Sequence, residues 1–261
     1  MNRPNILVWD LETTPNRGYF WGLWNQNIQY NALDKERSII CGSWKQLDEP
    51  PVYTTSVLDN KKAFKRDVYD DYYVVKKLRE VIAEADLLIA HNGDKYDLKF
   101  FNSRCIFNGF PPIPAKLPTV DTLKVAKKHF RFNSNRLDYI GTHLLGEHKL
   151  ETSKGLWLTI VRDDTPYETR VKAVEEMIAY NQQDVILLED VYKELRPFMD
   201  NHPNMNLLYE TDGHACPNCG SFDLHKRGFS FTRTSTKQRF QCQSCKAWCT
   251  GGAAVSTSDK R

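Results

Sequence analysis

The sequence predicts an α/β domain followed by a small β appendage, and three observations predict it. The run Ile6-Leu7-Val8-Trp9 lies between Pro4 and Pro15 and is continuously apolar, as in a strand buried on both faces. Apolar residues then recur at helical spacing from about Val68 to Ala85 (Val68, Tyr72, Val75, Leu78, Ile82), followed by a short apolar strand, Asp86-Leu-Leu-Ile-Ala90. Strand, helix and strand in that order imply a crossover that pairs the second strand parallel to an earlier one. Near the C-terminus, Cys216-Pro-Asn-Cys219 and Cys242-Gln-Ser-Cys245 stand 22 residues apart, with short alternating runs between them.

Length and composition bound the rest. A chain of 261 residues has room for one sizeable core and an appendage. Four of the seven cysteines fall into Cys-x-x-Cys pairs, which points to a reducing compartment and a bound metal rather than a disulfide framework. Asp10 and Glu12 interrupt the region where a secretory signal needs an apolar core, and no apolar run approaches membrane-spanning length. A cytoplasmic location without membrane attachment is therefore expected. The net charge of +3 is unevenly spread: eight Lys/Arg face three Asp after residue 210, leaving 28 basic and 30 acidic residues before it. A basic tail on a near-neutral body is the footprint of phosphate contact, although a solvated basic surface looks the same.

Taken in order, Gly18-Tyr-Phe-Trp-Gly-Leu-Trp24 reads as a second strand reached through the turn Pro15-Asn16-Arg17, and Ser38 to Trp44 as a third. Pro50-Pro51 breaks the pattern, and Val52 to Val57 reads as a further strand or an irregular loop. After His91, Asn92-Gly93 turns the chain into a helix with Asp94 as a plausible N-cap. From Glu175 to Tyr192 the spacing of Met177, Ile178, Val185, Leu188 and Val191 gives a long helix.

Several acidic side chains stand out on this scaffold. Asp10 and Glu12 are two apart at a strand end, so the period of two puts both carboxylates on one face and Leu11 on the other. Like charges that close are costly unless a hard cation sits between them, although an acidic turn is the plainer reading. Asp97 falls in the first turn of its helix, where it either caps the helix or points toward Asp10 and Glu12. Tyr180 and Asp184 are one helical turn apart, and Asp184 sits beside Val185 and Ile186, where a carboxylate without a partner is disfavoured.

Asp10-x-Glu12, Tyr96-Asp97 after Ala-His-Asn, and Tyr180-x-x-x-Asp184 together resemble the three exonuclease motifs of the DEDD superfamily. These are 3′→5′ exonucleases of ribonuclease H-like fold, which include the proofreading domains of DNA polymerases. Ala179 stands where the histidine subtype has its His, and Tyr180 gives the DEDDy signature, similar to family B proofreading domains. The resemblance spans roughly residues 5–195, including Val120-Asp-Thr-Leu123 and Arg136-Leu-Asp-Tyr-Ile140 through Leu145-Gly146. It implies a mixed sheet flanked by helices and two Mg²⁺ or Mn²⁺ ions held by Asp10, Glu12, Asp97 and Asp184, with Tyr180 holding the attacking water. By the same resemblance Leu11, Asn92 and Phe101 contact substrate, Asp94 remains a capping residue, and Asp121 lies outside the catalytic four as a core-facing Asp bonded to backbone.

Two Cys-x-x-Cys pairs at this spacing make a four-thiolate site for one structural Zn²⁺ at Cys216, Cys219, Cys242 and Cys245, with His214 and His225 as rival ligands. A domain of this size has too small a core to fold alone, so the metal contributes much of its folding energy. The segment looks like the zinc ribbons of nucleic-acid enzymes, except that Lys246 stands where Gly commonly follows the second pair. Lys226, Arg227, Arg233, Lys237 and Arg239, with Phe229, Phe231, Phe240 and Trp248 interleaved, suit backbone contact and base stacking.

The expected organisation is an exonuclease domain over 1–200, a linker over 201–212, a zinc ribbon over 213–252 and a flexible tail over 253–261. The expected activity is release of nucleotides from the 3′ end of DNA, single strands preferred, in a replication or repair setting. An exoribonuclease and a non-catalytic nucleic-acid-binding protein of the same fold are the main alternatives, and a ribonuclease H-like endonuclease is a further one. The compact chain also resembles bacteriophage and bacterial versions of the family, and a viral origin would make the cytoplasm that of a host.

Overall fold

The computed structural model describes residues 4–24, 27–146, 152–208 and 214–254. The elements run β1 (Ile6–Thr13), β2 (Arg17–Gly18), β3 (Leu33–Lys35), β4 (Ile39–Gln46), β5 (Tyr53–Ser56), α1 (Lys61–Arg66), α2 (Tyr72–Ala83), β6 (Leu87–Ala90), α3 (Asp97–Phe107), β7 (Thr119–Asp121), α4 (Thr122–His129) and α5 (Leu137–Leu145). They continue with α6 (Leu156–Val161), α7 (Tyr167–Leu195), α8 (Met205–Leu208), β8 (Leu224–Phe231), β9 (Thr236–Cys242) and β10 (Trp248–Ala254). The main sheet has the order β5-β4-β1-β6-β7. β4 is antiparallel to β1 and β5, whereas β6 runs parallel to β1 and β7, so the sheet is mixed.

β1 is central because it is apolar on both faces. Leu7, Trp9 and Leu11 pack with Val75 and Leu78 of α2 and Phe101 of α3. Ile6 and Val8 face the other way, onto Val185, Leu188 and Val191 of α7. The alternation that sends Ile6 and Val8 to that face sends Asp10 and Glu12 there too. The length of α7, 29 residues, lets it serve the core and the end of β1 at once. Across β1, Leu11 pairs with Gly42, whose absent side chain is required: a Cβ there would come within 2.8 Å of both Leu11 and Leu78. A buried ion pair between Lys45 of β4 and Glu189 of α7 ties the helix to the sheet, with Lys193 as the second cation on Glu189 at 2.9 Å.

Three expectations are corrected here. The segment Gly18–Trp24 is not a strand: among the described residues only Arg17–Gly18 pairs, with Leu33–Lys35, and Tyr19 to Trp24 are irregular and largely exposed. Its aromatic residues favour β structure only where a neighbouring strand and a covering layer exist, and among the described residues neither is present. The helix predicted from Val68 begins at Tyr72, because Asp71 ahead of it is engaged elsewhere: its carboxylate takes the Ile39 N–H and a two-pronged bond from Arg104. Asp94 is not an N-cap either, since α3 begins at Asp97 and Asp94 instead pairs with Lys124.

Beyond α7 the chain stays packed where a linker was expected. Tyr192 OH bonds His202, and Met205 of α8 is buried beside Leu195 and Met199. Residues 209–212 of that segment, and 255–261 of the expected tail, lie outside the described residues. β10-β9-β8 form an antiparallel three-stranded sheet whose buried cluster consists of Cys216, Cys242, Cys245 and Ala247, with Cys219 and Leu224 against it. Such a core cannot hold a domain by apolar burial alone. Asn218, in the first cysteine turn, bonds the carbonyls of Arg196 and Met199 and so fastens this sheet to the end of α7.

Candidate active site

The sequence positions of three carboxylates converge in space. Ligand oxygens of Asp10, Glu12 and Asp184 all lie within 4.8 Å of one another, Asp184 being buried and the two β1 residues half-buried. Each comes from a rigid element: β1 supplies Asp10 and Glu12 through strand alternation, and α7 supplies Asp184 from the helix packed across that face. Burial, reinforced by the charges of Glu12 and Asp10, pushes the nearby Cys41 thiol well up, since a thiolate there would be a further buried anion.

The group lines an open cleft of about 720 Å³, together with Leu11, Asn92, Asp97 and Tyr180. Tyr180 lies one turn before Asp184 on α7, its ring meeting the edge of Trp157 at 6.1 Å. Asp97, nine-tenths or more buried, lies in the wall and is not among the three oxygens that meet within 4.8 Å. Its helix start is set by the turn before it, where Asn92 takes a left-handed φ of 68° and a Cβ on Gly93 would come 2.3 Å from that of Ala90. Asp121 accepts the backbone N–H of both Asn92 and Leu123, so it braces this turn and caps α4. His91 bridges the Asn135 carbonyl and Thr122; the carbonyl can only accept, which assigns the ring proton facing it to Nε2.

A protein-family model described as the RNase_H superfamily matches residues 45–196. The chain belongs to the RNase_H superfamily. The matched range holds Asp97, Tyr180 and Asp184, while Asp10 and Glu12 precede it. A "DNA polymerase III PolC-type" of Ureaplasma parvum serovar 3 is 25% identical over 145 residues, which are 54% of this chain and 10% of the polymerase. The chain thus spans about a tenth of that relative's length. Both findings support a DEDD-type, ribonuclease H-like nuclease, and the five-stranded mixed sheet flanked by helices is the architecture of this superfamily member.

The carboxylate oxygens suit a hard divalent cation such as Mg²⁺ or Mn²⁺: they are anionic oxygen donors, close enough to share an ion, and mutually repulsive without one. Asn181, which the motif reading passed over, sharpens that fit. Fully buried between Tyr180 and Asp184 in sequence, it donates from Nδ2 to Asp10 Oδ2 at 2.7 Å, while its Oδ1 is buried with no hydrogen-bond partner among the described residues. A buried amide with one half unsatisfied is retained against an energetic cost, which marks the donated bond as the reason for the residue. The signal available in sequence was position alone, three residues before Asp184 and so on the same helical face. Substituting Asn181→Leu should weaken Mn²⁺ binding about 10- to 100-fold, read by calorimetry on the nucleic-acid-free protein; an unchanged Mn²⁺ isotherm would show that Asp10 needs no such support.

Asp97 behaves differently from the other carboxyls. Burial, reinforced by the charge of Asp121, raises it from 3.8 to about 7. A carboxyl raised in the folded state holds a proton that the unfolded chain releases, so its stabilising contribution is complete below 3.8 and is lost as pH rises toward about 7. In chelator, the metal-free protein should therefore lose stability relative to Asp97→Asn across that window. Urea melts of both proteins at about pH 5 and about pH 8 check this, and parallel stabilities at the two pH values would contradict it.

Among the predicted substrate contacts, Asn92 lines the cleft, and Leu11 touches it with a mostly buried side chain. Phe101 does not: it is fully buried edge-on to Trp9 at 6.2 Å and offers substrate no surface. Its position on α3 faces the sheet, and the helical pattern alone did not reveal which side that was. In the C-terminal sheet the thiols of Cys216, Cys219, Cys242 and Cys245 lie within 4.8 Å of one another, with two Sγ–Sγ separations of 3.6 Å. A tetrahedral Zn²⁺ with Zn–S bonds of about 2.3 Å needs sulfurs about 3.8 Å apart, so the cluster fits a zinc ribbon. The His214 ring lies tilted against Phe240 and His225 lies beside Asp223, both outside the thiol group. Lys246 adopts φ 65°, the left-handed conformation that Gly more commonly supplies at that turn. Lys226, Arg227, Arg233 and Arg239 are exposed and Lys237 is half-buried, with Arg239 held over the Trp248 ring at 4.4 Å. Among the described residues no helix is long and apolar enough to cross a membrane.

Proposed function

We propose that this chain is a DEDDy-type 3′→5′ exonuclease acting on DNA, single strands preferred, and that its zinc ribbon helps to grip the strand. The observation that carries the reading is the meeting of Asp10, Glu12 and Asp184 at an open cleft that Asp97 and Tyr180 also line. Two divalent cations, when bound, would supply an activated water and neutralise the leaving oxyanion. Asp10, Glu12, Asp97 and Asp184 would hold them; Asn181 keeps Asp10 oriented, and Asp97 must give up its proton to act as a ligand. Tyr180 holds the attacking water through its hydroxyl; an ordinary phenol titrates near 10, so it orients the water and does not serve as its base. The polymerase relative supports DNA as the polymer, in a replication or repair setting, and the surplus of Lys and Arg on the ribbon supports contact with its phosphates.

The test uses 5′-labelled single-stranded DNA and a matched RNA with Mg²⁺ or Mn²⁺. Stepwise shortening of the DNA from its 3′ end is the expected result. Internal cuts would make the protein an endonuclease, a preference for RNA would make it an exoribonuclease, and tight binding with no cleavage would reduce it to a binding module.

A further inference from the structure

The segment from Gly18 to Leu33 contains no charged side chain, yet it is the most exposed aromatic stretch on the described surface. Tyr19, Phe20, Trp21 and Trp24 all stand mostly in solvent, Trp21 completely so at 104% exposure. Leu23 is the sole aliphatic residue among these exposed side chains between Tyr19 and Trp24. Exposed rings in this number mark a binding surface.

The stretch is held in place at its base. Arg17 donates to Asp34 at 2.6 Å and to Asp163 at 2.9 Å, and Tyr19 N–H bonds the Ala32 carbonyl at 2.8 Å. Two chains of contacts lead from that base into the cleft. In the first, Asn16 Oδ1 accepts the Arg37 N–H at 2.8 Å, Arg37 donates to Tyr96 OH at 2.6 Å, and Tyr96 lines the cleft beside Asp97. In the second, Asp163 follows α6, whose Trp157 packs on Tyr180. The base of the aromatic stretch is thus linked through contacts to two residues that line the cleft, Tyr96 and Tyr180.

We propose that Tyr19, Phe20 and Trp21 form a stacking platform for unpaired nucleobases of the strand whose end occupies the cleft. A polymer processed from its end must continue outward past the cleft rim, and the base of this segment is tied by contacts to the cleft-lining Tyr96 and Tyr180. Aromatic rings stack on any base because every base has a π-face, which gives grip without sequence preference. The lack of charge fits a surface that reads bases, while the ribbon and Arg37 supply the cations for phosphates. Duplex DNA, whose bases are already stacked, gains nothing from the platform, so the inference assigns a single strand as the bound form. It rests on the nuclease reading for the direction of the strand, but not for the binding itself.

The test compares the full-length protein with the double variant Phe20→Ser/Trp21→Ser, both side chains being exposed enough to replace without touching the core. In chelator, binding of a labelled single strand of about 15 nucleotides should weaken at least about tenfold in the variant, with a much smaller change for the matching duplex. With Mn²⁺, the fall in kcat/KM on that strand should exceed the fall on the p-nitrophenyl ester of thymidine 5′-monophosphate, which is too short to reach the platform. Equal affinities of the two proteins for the single strand would overturn the proposal. So would a wild-type dimer, seen by light scattering, that the variant converts to monomer with nucleic-acid affinity intact: the patch would then join copies of this chain. If the wild-type protein cleaves neither substrate while the variant still loses affinity, the exonuclease reading fails and the platform stands.

Discussion

Asp184→Asn should lower kcat on single-stranded DNA by at least about 10³-fold and leave the metal-free protein as stable as wild type or more so. The two signs come from one cause. Three carboxylates whose oxygens approach within 4.8 Å repel one another until a cation joins them, and Asp184 is the most buried of the three. Removing its charge relieves that repulsion in the metal-free fold. On the proposed reading it also removes a ligand from a site where the cation would contribute several kcal/mol to the transition state, and each loss of about 1.36 kcal/mol is tenfold in rate. Asp10→Asn should lose activity to the same degree, because the bond from Asn181 holds the side chain in place without replacing its charge. Melting curves with and without Mg²⁺ separate the effects: the wild type should gain melting temperature from the ion, and Asp184→Asn should not. Full activity in either variant would remove the carboxylate group from the chemistry.

Zinc removal should have the second large effect. The purified protein should contain one Zn²⁺ per chain, and Cys242→Ser should lose it together with the fold of β8–β10. Four thiolates around Zn²⁺ are worth about 10–16 kcal/mol in small zinc domains, far more than the few apolar residues in this sheet provide. The α/β domain has its own two core clusters and should persist, so amide spectra would collapse only for the C-terminal residues. Nucleic-acid affinity should fall and its dependence on salt should flatten, since the lost segment carries Lys226, Arg227, Arg233, Lys237 and Arg239. A protein that holds no zinc, or a Cys242→Ser variant with native C-terminal spectra, would end the ribbon assignment.

Much of the site was legible before any coordinates. Asp10 and Glu12 share a face because a strand alternates, Tyr180 and Asp184 share one because a helix turns in 3.6 residues, and paired cysteines announce their geometry through spacing. These are local properties, carried by neighbours a few residues away, and the tertiary structure could only place them. The failures are of the opposite kind. Gly18–Trp24 has the composition of a strand, but a strand exists only when another lies beside it, and β3 reaches no further than Gly18. Asp94 looked like a cap until Lys124, 30 residues away, took its carboxylate. Phe101 sits on a helix whose buried side is chosen by Trp9 of β1.

By itself, then, the sequence determined the α/β and cysteine-ribbon organisation, the two pairs of active-site candidates and the four thiolates, because each follows from periodicity or spacing within one segment. Only the tertiary structure decided that Asp10, Glu12 and Asp184 meet, that Asn181 supports Asp10 across 171 positions of chain, and that Asp97 is buried enough to hold its proton. Only it, too, left the rings of Tyr19 to Trp21 in solvent. Contacts between distant segments set burial and electrostatic environment, and neither is written in the local pattern of residues.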